Sequence, residues 1–171
     1  MSDNAIIVID AARARFFIER FETREPARPG LPARSGYQLD EERDLVNPAT
    51  RLRDGERYSE SRPGSQRGPA GAPGHTTDDR RDAQVKAQDK AFAAEIASQV
   101  EGFCKECSAE RLILVADPRM MGFLRPELES LSKKGIERRD LTKDLSRMRP
   151  TQIQKHLIKA GVLPWRPEAG E

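Results

Sequence analysis

Apolar residues are gathered into a few short runs separated by long polar tracts. "AIIVI", Ala5 to Ile9, is a continuous aliphatic run rich in β-branched residues, which predicts a strand covered on both faces. Arg15 to Phe21 predicts a second strand. The intervening "DAARA" is too short for a crossover helix, so these two strands are expected to pair as an antiparallel hairpin. Between Glu22 and Tyr37, Pro26, Pro29, Gly30, Pro32 and Gly36 predict an exposed excursion. A third short strand is expected around Arg43 to Val46, stopped by Asn47 and Pro48.

From Ala49 to Arg81 there is no apolar periodicity, and a tract this long inside a small domain is functional or disordered. Helical spacing begins at Asp82, where Val85, Phe92, Ile96, Val100 and Phe103 fall near one stripe that should lie on the sheet. "RLILVADP", Arg111 to Pro118, is a second buried strand, placed by the preceding helix as a parallel partner of the first. A helix interrupted near Gly122 and Pro126 should end at Gly135, followed by an edge strand over Ile136 to Leu141. Ile153, Leu157 and Ile158 give a closing helix over Pro150 to Ala160 with Gly161 as its stop. The pattern predicts one three-layer α/β domain over residues 1–161. Its sheet is mixed and opens on a hairpin, its loops at about 22–40 and 49–81 are disordered, and its tail at 162–171 is loose.

The length allows a single modest core. Charged residues make up 34% of the chain and hydrophobic ones 36%, so long solvated segments must accompany that core. Thirty basic against 28 acidic side chains leave a net charge of +2, which excludes a global basic field. The first apolar run has no basic leader and turns polar at Asp10, and no run is long enough to span a bilayer, so a cytoplasmic protein without membrane contact is expected. Met120, Met121 and Phe123 suit a core or a homodimer interface equally.

Cys104 and Cys107 have the spacing of a metal knuckle or a dithiol. Zinc needs four ligands, and only His75 and His156 could add to them; a redox pair belongs at a helix start, not its end. Two part-buried thiols and no metal or cofactor are expected. Asp10 and Asp117 each follow a buried strand, where open α/β sheets place ligands. They are weak catalytic candidates for Mg²⁺-dependent phosphodiester cleavage, with Asp40, Glu41 or Glu42 as further ligands. The competing expectation is that Asp10 caps the hairpin turn and Asp117 the following helix. No nucleophile elbow and no phosphate-binding glycine loop is present. The 49–81 tract carries Arg51, Arg53, Arg57, Arg62, Arg67, Arg80 and Arg81 against five acids, with Tyr58 among them. Arginine in a glycine-rich setting suits phosphate contact and folding on RNA.

The order of the motifs adds to this reading. "AIIVIDAARARFFI", "RDLVNP", "ESRPGS" with a glycine-rich loop and a histidine, "AFAAEIASQV" and "RLILVADPRMMGFLR" together resemble the bacterial host-attachment protein family, over about Ala5 to Leu157. That family in turn looks like the middle, catalytic domain of eukaryotic and archaeal class-one peptide-chain release factors. The resemblance implies a hairpin, a third strand, a long exposed loop, a helix and a buried strand. In release factors that loop carries Gly-Gly-Gln, which positions water at the peptidyl-tRNA ester. Here "RPGSQRGPAGAPG" stands in its place, and Gln66 follows Ser65 and Gly64, so the tripeptide is absent. What carries over is the fold and a contact with ribosome, tRNA or rRNA through Arg62, Gly64, Gln66, Arg67 and His75. Gln66 is a weak catalytic candidate only, and a protein partner for the loop is the alternative.

Overall fold

The computed structural model describes residues 4–24, 34–50 and 77–164. Five strands form one mixed sheet in the order β3-β2-β1-β4-β5. They are β1 (Asn4–Ile9), β2 (Arg13–Arg24), β3 (Arg34–Val46), β4 (Arg111–Ala116) and β5 (Glu137–Thr142). β1 and β2 form the expected antiparallel hairpin, with Ala5 opposite Ile18 and Ile9 opposite Ala14. β4 lies parallel to β1, with Ile9 beside Ala116, and β5 lies parallel to β4 at the edge. The helices are α1 (Thr77–Glu106), α2 (Pro118–Glu127), α3 (Glu129–Ser132) and α4 (Pro150–Lys159).

The aliphatic runs of β1 and β4 are covered on both sides, as continuous apolar strands require. On one face Ile7, Phe16, Leu112 and Leu114 pack under Phe92, Ile96, Val100 and Phe103 of α1 and under Met120, Met121 and Leu124 of α2. Phe16 meets Phe103 edge to face at 5.3 Å between ring centres, a favoured aromatic geometry. On the other face Ile6, Val8, Phe17, Leu39, Ile113 and Val115 pack under Leu145, Ile153 and Leu157. The result is the expected three layers. Met120 and Met121 are core residues, and Phe123 packs against the same cluster.

Several boundaries differ from the sequence reading. The excursion expected over Glu22 to Tyr37 is shorter, because Glu22 pairs with Gly36 and Tyr37 with Phe21, so β3 begins at Arg34. Beyond Glu19 this ribbon has only two strands, and its charged, half-exposed residues lack the apolar runs that mark a central strand. α1 starts at Thr77 rather than Asp82, and Arg81 to Ala87 are exposed apart from half-buried Val85. This first part overhangs the sheet and carries no stripe to read. α2 runs through Gly122 and Pro126 and breaks only at Leu128. Pro126 sits in the last turn, where its missing N–H removes a single bond. Within the tail expected to be loose over 162–171, Leu163 is buried in the second core; residues 165–171 lie outside the described residues.

β3 carries a bulge. Phe16 faces Arg43 while Phe17 faces Glu41, leaving Glu42 as the extra residue. α4 ends at Gly161 with φ +71°, a conformation that glycine adopts without steric cost.

Candidate functional site

Parallel pairing of β1 with β4 brings Asp10 and Asp117 together at the C-terminal edge of the sheet, just past the Ile9–Ala116 pair. Neighbouring strands lie roughly 4.8 Å apart, so the two aspartates stand on adjacent strand ends. Asp10 Oδ1 accepts from the backbone N–H of Ala12 at 2.7 Å and of Arg13 at 2.8 Å, closing the hairpin turn. Asp117 Oδ1 accepts from Arg119 N–H at 2.8 Å and Met120 N–H at 2.9 Å, capping α2. Each aspartate therefore does the capping work that its position invites.

The other carboxylates named as ligands turn to arginines. Glu41 accepts from Nε and Nη2 along one edge of the Arg15 guanidinium, while Asp40 and Glu42 flank Arg20. Among the described residues no group of three or more His, Cys, Asp or Glu side chains stands close enough to hold a metal ion.

The same edge anchors the long tract. Asn47 Nδ2 donates to the carbonyl of Ala11 at 2.8 Å, and Thr50 bonds back to the Asn47 carbonyl. α1 returns over the same edge, tied down by Asp89, whose carboxylate lies 2.9 Å from Arg119 Nη2 at the start of α2. Asp89 is 1% exposed, and neither of its oxygens makes a well-aligned hydrogen bond among the described residues. It is an acid set into the apolar stripe of α1, where helical spacing alone does not single it out. Arg62, Gly64, Gln66, Arg67 and His75 lie outside the described residues, as do Arg51, Arg53, Arg57 and Tyr58.

Arg15 is a second inward-facing charge. Only 8% exposed, it holds Glu41 and donates Nη1 to the carbonyls of Ser146 at 3.0 Å and Met148 at 2.7 Å. Its side chain thereby fixes the turn between β5 and α4. The signal for such a residue is tertiary: "RARFF" gives no hint that one arginine points inward.

At the far end of the sheet the cysteines are free thiols at the end of α1. Burial pushes the Cys104 thiol up to about 12, with Cys107 adding to the shift. A thiol that holds its proton so firmly is a poor nucleophile or metal ligand. Thiol-specific reagent at pH 8 is expected to label Cys107 alone in the native protein and both cysteines after denaturation; fast native labelling of Cys104 would contradict the packing.

These features define an α/β domain whose C-terminal sheet edge roots a long arginine- and glycine-containing tract. The chain belongs to the family of proteins required for attachment to host cells, which it matches over residues 5–157. No curated protein matches it. Among the described residues no helix is long and apolar enough to cross a membrane.

Proposed function

We propose that this member of the host-attachment family is a non-enzymatic module that contacts RNA on the ribosome through the tract at 51–76, and that it acts on attachment indirectly, from the cytoplasm. The observation that supports this most is the common root of that tract. Thr50 and the overhanging start of α1 both belong to the C-terminal edge, so the intervening chain leaves and returns at one end of the sheet. Between Ser61 and Thr76 that tract contains Arg62, Arg67 and His75 and no acid, a composition suited to phosphate contact. The sequence resemblance to the release-factor middle domain would give this tract the part of a ribosome-facing loop, and the absence of paired glycines before Gln66 argues for contact without ester hydrolysis.

Co-sedimentation with ribosomes over a salt series tests the reading. The wild-type chain is expected to travel with ribosomes and to be released as salt rises, and a variant lacking Ser61 to Gly74 is expected to remain in the supernatant. Equal sedimentation of the two would reject the tract as the contact. Mg²⁺-dependent RNA cleavage that is lost in Asp10→Asn would replace the reading with a nuclease built on Asp10 and Asp117. Recovery of the protein from the cell surface would remove the indirect role.

A further inference from the structure

Over most of the described surface, arginine is neutralised locally. Arg13, Arg20, Arg43, Arg111 and Arg125 each meet a carboxylate across a strand or a helix. The segment from the end of β5 through α4 breaks this rule. Lys143, Arg147, Arg149, Lys155 and Lys159 are exposed, and none has a carboxylate partner among the described residues. Asp144 is the one acid between Lys143 and Lys159, and it is spent on Ser146, accepting from both its backbone N–H and its hydroxyl. Lys143 Nζ lies 3.2 Å from His156 Nδ1, two bases side by side with no acid between them.

The placement is fixed by the fold. Ile153 and Leu157 are fully buried against the sheet, which turns Lys155 and Lys159 toward the opposite side of α4, with half-buried His156 at its flank. Arg15 clamps the carbonyls on either side of Arg147, so this arginine projects from a held turn. The Lys143 N–H bonds to the Ala116 carbonyl at 2.9 Å, so the basic surface begins at the C-terminal edge that roots the 51–76 tract.

We infer that this face, from Lys143 to Lys159, is a second contact surface that binds the phosphate backbone of RNA. A near-neutral chain that pairs most of its described arginines elsewhere and gathers five open cations here, with its one nearby acid turned to Ser146, concentrates positive charge on this face, and a polyanion is the complementary partner. A lipid surface fits less well. The apolar side of α4 is used up in the core, and the large hydrophobic residues exposed among the described residues, Phe21 and Val46, lie on β2 and β3. The choice of RNA over another polyanion rests on the proposed function, which this surface extends from a single loop to a two-point contact.

The test is fluorescence anisotropy with a labelled single-stranded RNA oligomer over a salt series. It compares the full chain with K155Q/K159Q, R147Q/R149Q and the deletion of Ser61 to Gly74. Each double substitution is expected to weaken binding about tenfold near 0.1 M salt and to lower the log–log salt slope by about 1.4, two contacts at about 0.7 each. K155R/K159R should bind as wild type, and thermal melting should show the three substituted chains and the deletion folded. Unchanged affinity and slope in folded K155Q/K159Q and R147Q/R149Q would overturn the inference, as would preferential binding to anionic phospholipid vesicles or duplex DNA. If the deletion binds as wild type while the double variants lose affinity, the basic face stands and the loop reading falls. The converse result would keep the loop and reject the face.

Discussion

Replacing Arg15 by Met is expected to lower the stability of the domain by about 3 kcal/mol, a fall in melting temperature of roughly 6–12 °C. The side chain is almost fully buried, and its loss strands three acceptors together: the Glu41 carboxylate and the carbonyls of Ser146 and Met148. Glu41 is 31% exposed and regains water, so most of the cost falls on the two carbonyls and on the cation–π contact with Phe17 at 4.9 Å. Arg15→Lys should recover little of it, because an ammonium cannot hold a carboxylate with two parallel bonds while reaching two carbonyls. Thermal or urea unfolding measures the difference. A loss under 1 kcal/mol in Arg15→Met would mean that the turn at 146–148 is held by other contacts.

The same pair sets part of the acid response. The hydrogen bond from Arg15 holds the Glu41 carboxyl below its ordinary value of 4.5, against an opposing effect of burial. Below that value the unfolded chain takes up protons that the folded chain refuses. The contribution is thus complete above about pH 4.5 and is lost as the pH falls through the lower, folded value. Glu137, beside Arg139 and Arg111, shifts in the same direction. Arg15→Met should therefore flatten the acid limb of the stability curve as well as lower its plateau.

Arg119→Ala is expected to cost about 2 kcal/mol, out of proportion to a residue whose side chain is 52% exposed. The cost comes from its partner: Asp89 stays buried with the Arg119 cation gone. Replacing both, as Asp89→Leu with Arg119→Ala, should return the stability to wild type or above it, since an apolar side chain suits the buried stripe next to Phe92 and Ala93. Urea unfolding of the two single variants and the double variant closes the cycle. An Arg119→Ala protein as stable as wild type would show that Asp89 reaches water or another donor.

The parts of this fold that could be read in the sequence are those where burial is total. β1 and β4 are aliphatic runs that fit only a covered strand, the short "DAARA" forces a hairpin, and the spacing of Phe92, Ile96, Val100 and Phe103 fixes the face of α1. The capping roles of Asp10 and Asp117 follow from local rules alone. What escaped was set by contacts between distant segments. The outer halves of β2 and β3 pair as a charged ribbon with no apolar face to read. The first turns of α1 overhang the edge and need no stripe, and the inward turn of Arg15 depends on carbonyls more than 130 residues away along the chain. The basic face at Lys143 to Lys159 emerges only when the ion pairs elsewhere on the surface are accounted for.

The bulge at Glu42 makes spacing in β3 a matter of phase. Leu39 and Leu45 are six positions apart and would share a face in a regular strand, yet Leu39 lies in the core under α4 and Leu45 packs beneath α1. One extra residue gives the strand half a turn of phase, and both layers draw on it. Deleting Glu42 would close the bulge into a regular ladder, with Leu39 and Leu45 five positions apart and still on opposite layers, whereas deleting a second residue between them would turn the outer half of β3 inside out and face Leu39 toward the wrong layer. Changes of length at the far tip of the ribbon, beyond the Arg24–Arg34 pair, leave that phase intact. The ribbon is thus free to vary in length at its tip and bound in phase at its base.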